Sequence, residues 1–337
     1  MASSVTSPRH TVTVHEPPAA ARAAGIIVAI TALLALVAIA FALPAARSGP
    51  HHVPIGAAGP QVASGQISTV LDAKMPGAFE VTFYPGEAAL ADAIRNRDVY
   101  GGFVMPAQPG QPPALLLASG GSPMVAQLLT QIGAELSRQT GTALRTEDLA
   151  PPTARDPRGA GLAASALPIT LAGILPAIAL VLALRREVWT GFTAAVVFSG
   201  VAGVTIAALL RYVLGSVDGN FWGIAAGLTL GVAAALLFMF GLGSLFGRAG
   251  LAVGSLLALL VGNPLSGLAS APEMLPAGWG QLGQLLPQGA TATLLRSTAA
   301  FEGAGAATAI VVLTCWTLAG TALTVTAAVR HRKQAPA

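Results

Sequence analysis

The sequence predicts an α-helical polytopic membrane protein, with six transmembrane helices and a small extracytoplasmic α/β domain between helices 1 and 2. Three observations lead there. Hydrophobic residues make up 54% of the 337 residues and charged residues only 9%, far below the roughly one quarter usual in soluble domains. Several apolar runs approach about 20 residues, the length a helix needs to cross hydrocarbon. Residues 47–160 break the pattern, with eight basic and nine acidic side chains in one stretch.

The first apolar run, 25–43, follows a cytoplasmic N-terminal segment, 1–24, and reads as a retained anchor. "ALPAARSG" leaves a cleaved signal peptide as the alternative. Further spans read at 162–184, 191–210, 221–246, from Ala249 onward, and 304–329. Arg9, Arg22, Arg185, Arg186, Arg248, Arg330, Arg332 and Lys333 then fall on one side, against Arg211 and Arg296 on the other. The positive-inside rule makes the first side cytoplasmic, with both termini there and 330–337 as a tail. Trp189, Tyr212 and Trp222 sit at span boundaries, whereas Trp316 lies inside the last span.

Between the first two spans, "VPIGAAG" and the alternating "FEVTFY" read as strands. "QVASGQISTVLDAKM" is helix-compatible, and "GEAALADAIRNRD" is an amphipathic helix with Ala89, Leu90, Ala93 and Ile94 on one face. "YGGFVMP" and "ALLLAS" are two further strands, and "SPMVAQLLTQIGAELSRQT" opens with a capping Ser and a Pro at the first helical position. The order β-α-β-α-β-β-α is that of a small α/β domain. "APPTARDPRGAG" is the linker back to the membrane.

The fifth span raises a difficulty. "LAVGSLLALLVG", 251–262, has 12 residues, about 18 Å of helix against roughly 30 Å of hydrocarbon. "NPLSGLASAPEMLP" follows, and Pro264 cannot donate to the carbonyl of Leu260, so the helix bends or ends there. Trp279, Leu282, Leu285 and Leu286 then take helical spacing, Pro287 stops that turn, and "QGATATLLRS" restarts one. Residues 263–301 read as an outward-facing pair of short re-entrant helices, with Glu273 and Arg296 at the wet side. Asn263, Pro264, Glu273, Trp279, Pro287 and Arg296 are its candidate gate residues, and an ordinary amphipathic external loop is the alternative.

The spans carry no Asp, Glu, Lys or Arg in their interiors, which argues against an ion-coupled transporter. All five histidines lie outside the spans, and neither a Walker A loop nor a zincin or C-x-x-C motif occurs. The sequence therefore supplies no catalytic, cofactor-binding or metal residues. The adjacent His51 and His52 read as a solvated pair, and Cys315 is the lone cysteine. The net charge of +4 comes from residues flanking spans and does not indicate nucleic acid. Gly223, Gly227 and Gly231 recur every four residues in the fourth span; such a stripe permits close helix packing, although 39 glycines produce some matches by chance. Pro168 and Pro176 should kink the second span. "LRREVWTG" joins spans two and three, either as an interfacial anchor or as a docking surface.

The topology, together with "ALADAIRNRDVYGGFVMP" and "NPLSGLASAPEMLPAGWGQLGQLLPQGATATLLR", resembles the ABC-2 type exporter permeases, specifically their YhgE/Pip-like bacterial relatives. The resemblance implies a permease subunit of the bacterial cell membrane that homo- or heterodimerises, with no cofactor of its own. On this resemblance a separate cytoplasmic ABC ATPase drives it to move an amphiphilic or envelope-related molecule outward, with membrane lipid as a further partner. It places ATPase coupling in residues before Gly25 and at Arg185, Arg186, Glu187 and Trp189. A non-transporting envelope scaffold or receptor is the alternative.

Overall fold

The computed structural model describes residues 18–106, 111–184, 187–268 and 270–334. Five helices are long and apolar enough to cross a membrane, with a small mixed sheet inserted after the first. Helix α1 (Ala19–Ala46) is apolar on every side, and nearly all of it is exposed. It meets the rest of the membrane region near residues 258–262. A helix that is hydrophobic all round is a membrane span or a buried core element, and the chain leaves this one bare.

The inserted domain runs β1 (Val53–Ala58), α2 (Gln61–Lys74), β2 (Phe79–Tyr84), α3 (Glu87–Arg95), β3 (Gly101–Val104), β4 (Ala114–Leu117), α4 (Pro123–Thr140) and β5 (Arg145–Asp148). The sheet order is β2-β1-β3-β4-β5, parallel except for the β3–β4 pair. Central β1 and β4 read as short apolar runs because both their faces are covered. Helices α2 and α4 pack on one face through Ile67, Leu71, Val125 and Leu129. Helix α3 covers the other through Leu90, Ala91 and Ile94. The α4 N-terminus is capped by Ser122, whose Oγ accepts from Val125 N at 3.3 Å, and Gly141 closes the helix in a left-handed conformation. β5 adds an edge strand to the order expected from the sequence. Its residues, Arg-Thr-Glu-Asp, are mostly exposed and carry no apolar alternation.

The linker re-enters the membrane region through Asp156. Its carboxylate accepts from Ala160 N at 2.9 Å and Gly161 N at 2.8 Å, starting α5 (Ala160–Ala164), and from Ser216 Oγ at 2.6 Å. Burial alone would raise the Asp156 pKa, but those three bonds outweigh it and hold the carboxyl below its ordinary value. Helices α6 (Ala166–Ala183), α7 (Val188–Ala208) and α8 (Phe221–Leu257) follow. They share a core of Ile174, Ala177, Val188, Ala195, Val232, Leu236 and Phe240.

The expected fourth span, 221–246, is the first leg of the run Phe221–Gly262, and the expected fifth is its shorter second leg. Gly247 breaks that run with φ 63° and ψ −142°, and the chain folds back there. A Cβ on Gly250 would fall 2.5 Å from the Leu242 carbonyl, and one on Gly254 would fall 2.7 Å from Met239 Sδ. A straight helix would hold Met239 and Gly254 about 22 Å apart. The returning leg from Arg248 to Gly262 is therefore too short to cross roughly 30 Å alone. Gly191 abuts the Phe240 ring, so the start of α7 lies at the same end of the helices as Gly247. The α/β domain lies at the other end.

At Gly247 the backbone occupies a region that side-chain-bearing residues enter only under strain. Gly247→Ala should destabilise the chain by about 1–3 kcal/mol, read as a lowered thermal midpoint in detergent. An unchanged midpoint would mean that the turn does not hold the hairpin.

Candidate functional site

Where the returning leg of α8 ends, the last turn, Ala258–Gly262, widens into π-helix, and Asn263 N donates to the Ala258 carbonyl at 2.9 Å. Pro264 has no N–H to continue the ladder. The chain then leaves helical geometry inside the protein, where each freed polar group needs a partner.

Arg296 supplies much of that partnership. It was expected at the wet side but is only 4% exposed. Its Nη2 donates to the carbonyls of Gly267 and Leu268 at 2.7 Å each and of Ser270 at 3.3 Å. A guanidinium fits this role because its planar donors reach several acceptors at once. Glu273 is half-buried rather than freely solvated. Its Oε2 accepts from Tyr100 Oη at 2.7 Å.

Trp279 opens the short helix α9 (Trp279–Gln284), and Pro287 starts α10 (Pro287–Ala300) at the position where its missing N–H costs nothing. Leu282 on α9 and Leu285 just after it remain exposed. Helix α10 is inserted into the bundle against α6, α8 and α11 (Ala307–Gln334). Its Leu294 lies against Gly227, and its Thr291 lies so close to Gly231 that a Cβ there would fall 2.4 Å from Thr291 Oγ1. Gly223, on the same stripe, faces its own capping residue instead: Asn220 Oδ1 accepts from Gly223 N at 3.2 Å. Trp316, which fitted no interfacial belt, donates Nε1–H to the Leu285 carbonyl at 2.8 Å and stacks edge-on to Phe238 at 4.5 Å. It satisfies a carbonyl freed by the break before Pro287.

The α/β domain rests on this segment. Gly49 N and His51 N donate to the carbonyls of Met274 and Glu273 at 3.0 and 2.9 Å. Ala271 and Met274 enter the core beneath the sheet, and Phe301 enters the opposite one. Arg97, in the turn after α3, reaches α10: Nη1 donates to the Thr293 carbonyl at 3.2 Å and to Ser297 Oγ. Its guanidinium also lies over the Phe301 ring at 5.3 Å. Burial lowers the Arg97 pKa, with Tyr100 and Glu273 opposing, and burial followed by Glu273 raises that of Tyr100, so the phenol stays a donor.

Between domain and segment lies a chamber of about 820 Å³. Its walls include His51, Arg97, Tyr100, Glu273, Gln284 and Phe301. Below it, Gln284 bridges: Nε2 donates to the Ser266 carbonyl at 3.4 Å, and Oε1 accepts from Thr293 Oγ1 at 2.5 Å. Beyond that bridge, Thr170, Asn263, Ser266, Gln288 and Thr291 line a minute internal void. Thr170 Oγ1 donates to Asn263 Oδ1 at a long 3.4 Å.

The remaining candidates stand apart. Arg185 and Arg186 lie outside the described residues, as do residues 1–17. Glu187 precedes α7, and Trp189, half-exposed, packs edge-on to Phe192 at 6.1 Å, away from the chamber. His51 Nδ1 lies 2.7 Å from the Gly49 carbonyl, and among the described residues no acidic, His or Cys cluster is placed to hold a metal.

The five apolar helices and the buried, broken segment define a membrane-embedded helical protein bearing an α/β domain. No protein-family model, curated protein or solved structure matches the chain.

Arg296→Met should leave three carbonyls unpaired and cost about 3 kcal/mol or more, read as a lowered thermal midpoint and faster proteolysis near Ser270. Gly231→Leu should displace α10 and expose Thr291 to thiol labelling when that residue is made Cys. Unaltered labelling would show that α10 does not occupy this groove.

Proposed function

We propose that the chain is the membrane permease subunit of an ABC-type exporter, moving an amphiphilic or envelope-related substrate outward with energy from a separate cytoplasmic ATPase. One observation carries the reading. A broken, internally hydrogen-bonded segment, 263–306, is set among the helices directly beneath an 820 Å³ chamber that the α/β domain roofs. Irregular backbone at such depth belongs with a lined cavity or pathway. The resemblance of 89–106 and 263–296 to YhgE/Pip-like permeases supports the same assignment. On this reading the α/β domain is extracytoplasmic and both termini face the cytoplasm of a bacterial cell. The chain then crosses six times, if the short leg 248–262 counts with its segment, and two copies pair. On the same reading, Arg185, Arg186, Glu187 and Trp189, with the residues before Gly25, face the ATPase.

One observation favours the alternative of a receptor or scaffold. The α/β domain carries its own apolar cavity of about 840 Å³ between α2 and α4, lined by Leu71, Met75, Phe103, Leu128, Ile132 and Leu144. A domain that binds a ligand by itself would not need the membrane helices to move it.

Reporter fusions at Gly141 and at the C-terminus should report opposite sides of the membrane; a same-side result overturns the topology. Affinity purification should recover an ABC ATPase whose hydrolysis the chain stimulates. Substituting Ala at Arg185 and Arg186 together should cut that stimulation about tenfold. If no ATPase associates and the full chain binds a ligand in the cavity between α2 and α4, the receptor reading replaces this one.

A further inference from the structure

Arg97 is the one arginine or lysine among the described residues that line the chamber. Its direct partners are a carbonyl, a hydroxyl and a ring face, none of them a carboxylate. The neighbouring acids do not neutralise it. Glu273 is engaged by Tyr100 and lies within electrostatic reach of both Arg97 and Arg296. Arg97 and Arg296 against Glu273 leave one positive charge in excess inside the protein. Glu80, the other acid on the wall, is exposed at the rim, where water screens it. His51 and His52 add no negative charge.

The backbone at Arg97 points the same way. It sits at φ 66°, a left-handed conformation that Asn and Asp tolerate better than Arg. Yet Arg97 holds it, with Asn96 before it and Asp98 after it in the turn. Strain retained at a side chain facing a cavity motivates a functional hypothesis. The rest of the wall is largely apolar, with Val99, Leu275, Phe301 and Ala309. The volume lies within the roughly 300–1,000 Å³ typical of ligand pockets.

We propose that the chamber binds an anionic amphiphile, its charged head on Arg97 and its hydrocarbon part against Phe301, Leu275 and Ala309. This deepens the permease reading by giving the sign of the cargo's charge, and it rests on that reading only for the claim that the bound molecule is moved. Burying a guanidinium that has no carboxylate partner is costly, and a bound anion supplies the missing countercharge through charge-assisted hydrogen bonds.

The test is native mass spectrometry of the full chain in detergent, titrated with phosphatidylglycerol, with phosphatidylcholine and with inorganic phosphate. Phosphatidylglycerol should bind about tenfold more tightly than phosphatidylcholine, whose ammonium group offsets the charge of its phosphate beside Arg97, a difference of the size a charge-assisted contact supplies. Arg97→Gln should abolish that preference, and Arg97→Lys should keep part of it. Ser297→Ala, which removes an anchor of Arg97 but not its charge, should retain most of it. Equal binding of the two lipids by the unaltered chain overturns the proposal. So does a preference that survives Arg97→Gln, or one lost equally in Ser297→Ala, which would make Arg97 a mere strut. Inorganic phosphate binding as tightly as the lipid would also overturn it, because the hydrocarbon would then contribute nothing. Binding is read without any ATPase, so Arg97-dependent lipid capture with no ATPase partner would sink the permease reading and leave this one standing.

Discussion

Non-helical backbone inside a helical membrane region must find hydrogen-bond partners within the protein, and Arg296 is how this chain meets that demand. One guanidinium collects the carbonyls of Gly267, Leu268 and Ser270, all in the non-helical stretch that follows Pro264. With those groups satisfied, α9 and α10 can lie inside the bundle. Gln284 and Trp316 satisfy further groups around them. An uncompensated charge of this kind would be expensive in hydrocarbon; here it is surrounded by dipoles fixed in place by the fold. The ends of the segment stay accessible to the α/β domain, which docks on them through Arg97, Tyr100 and the 49–51 backbone.

Domain and membrane helices are consequently not two bodies joined by a tether. Met274 and Ala271 belong to the core beneath the sheet, and Phe301 belongs to the core on its other face. The loops between α8 and α11 thus complete the hydrophobic core of a domain encoded more than a hundred residues earlier. A displacement of α10 must be felt at Arg97, and any tilt of the domain must be felt at Thr293 and Ser297.

Much of this architecture was legible in the sequence, for identifiable reasons. Apolar runs of spanning length have no soluble alternative, so α1, α6, α7, α8 and α11 announce themselves. Period-2 and period-3.6 patterns gave seven elements of the α/β domain in order, and the Ser122–Pro123 cap fixed the start of α4. β5 was missed because an exposed edge strand of charged residues has no periodicity to read. The glycine stripe was visible but its occupant was not: nothing local reveals that α10, rather than a neighbouring span, fills the face at Gly227 and Gly231. Arg296 was misplaced because a lone arginine on a short helix reads as solvated until its long-range carbonyl partners are known. Arg97 and Tyr100 were overlooked for the same reason, since their partners lie nearly two hundred residues away.

The turn at Gly247 has a consequence for how the chain is made. Its two legs are joined by a single reversed residue, with Arg248 directly after it. No polar loop has to be carried through the bilayer between them, and the outgoing leg is the longer and the more buried. The return leg, too short to cross roughly 30 Å alone, lies against the outgoing leg. During synthesis both legs emerge before the broken segment that begins at Asn263, so the outgoing leg is already in place when its partner follows.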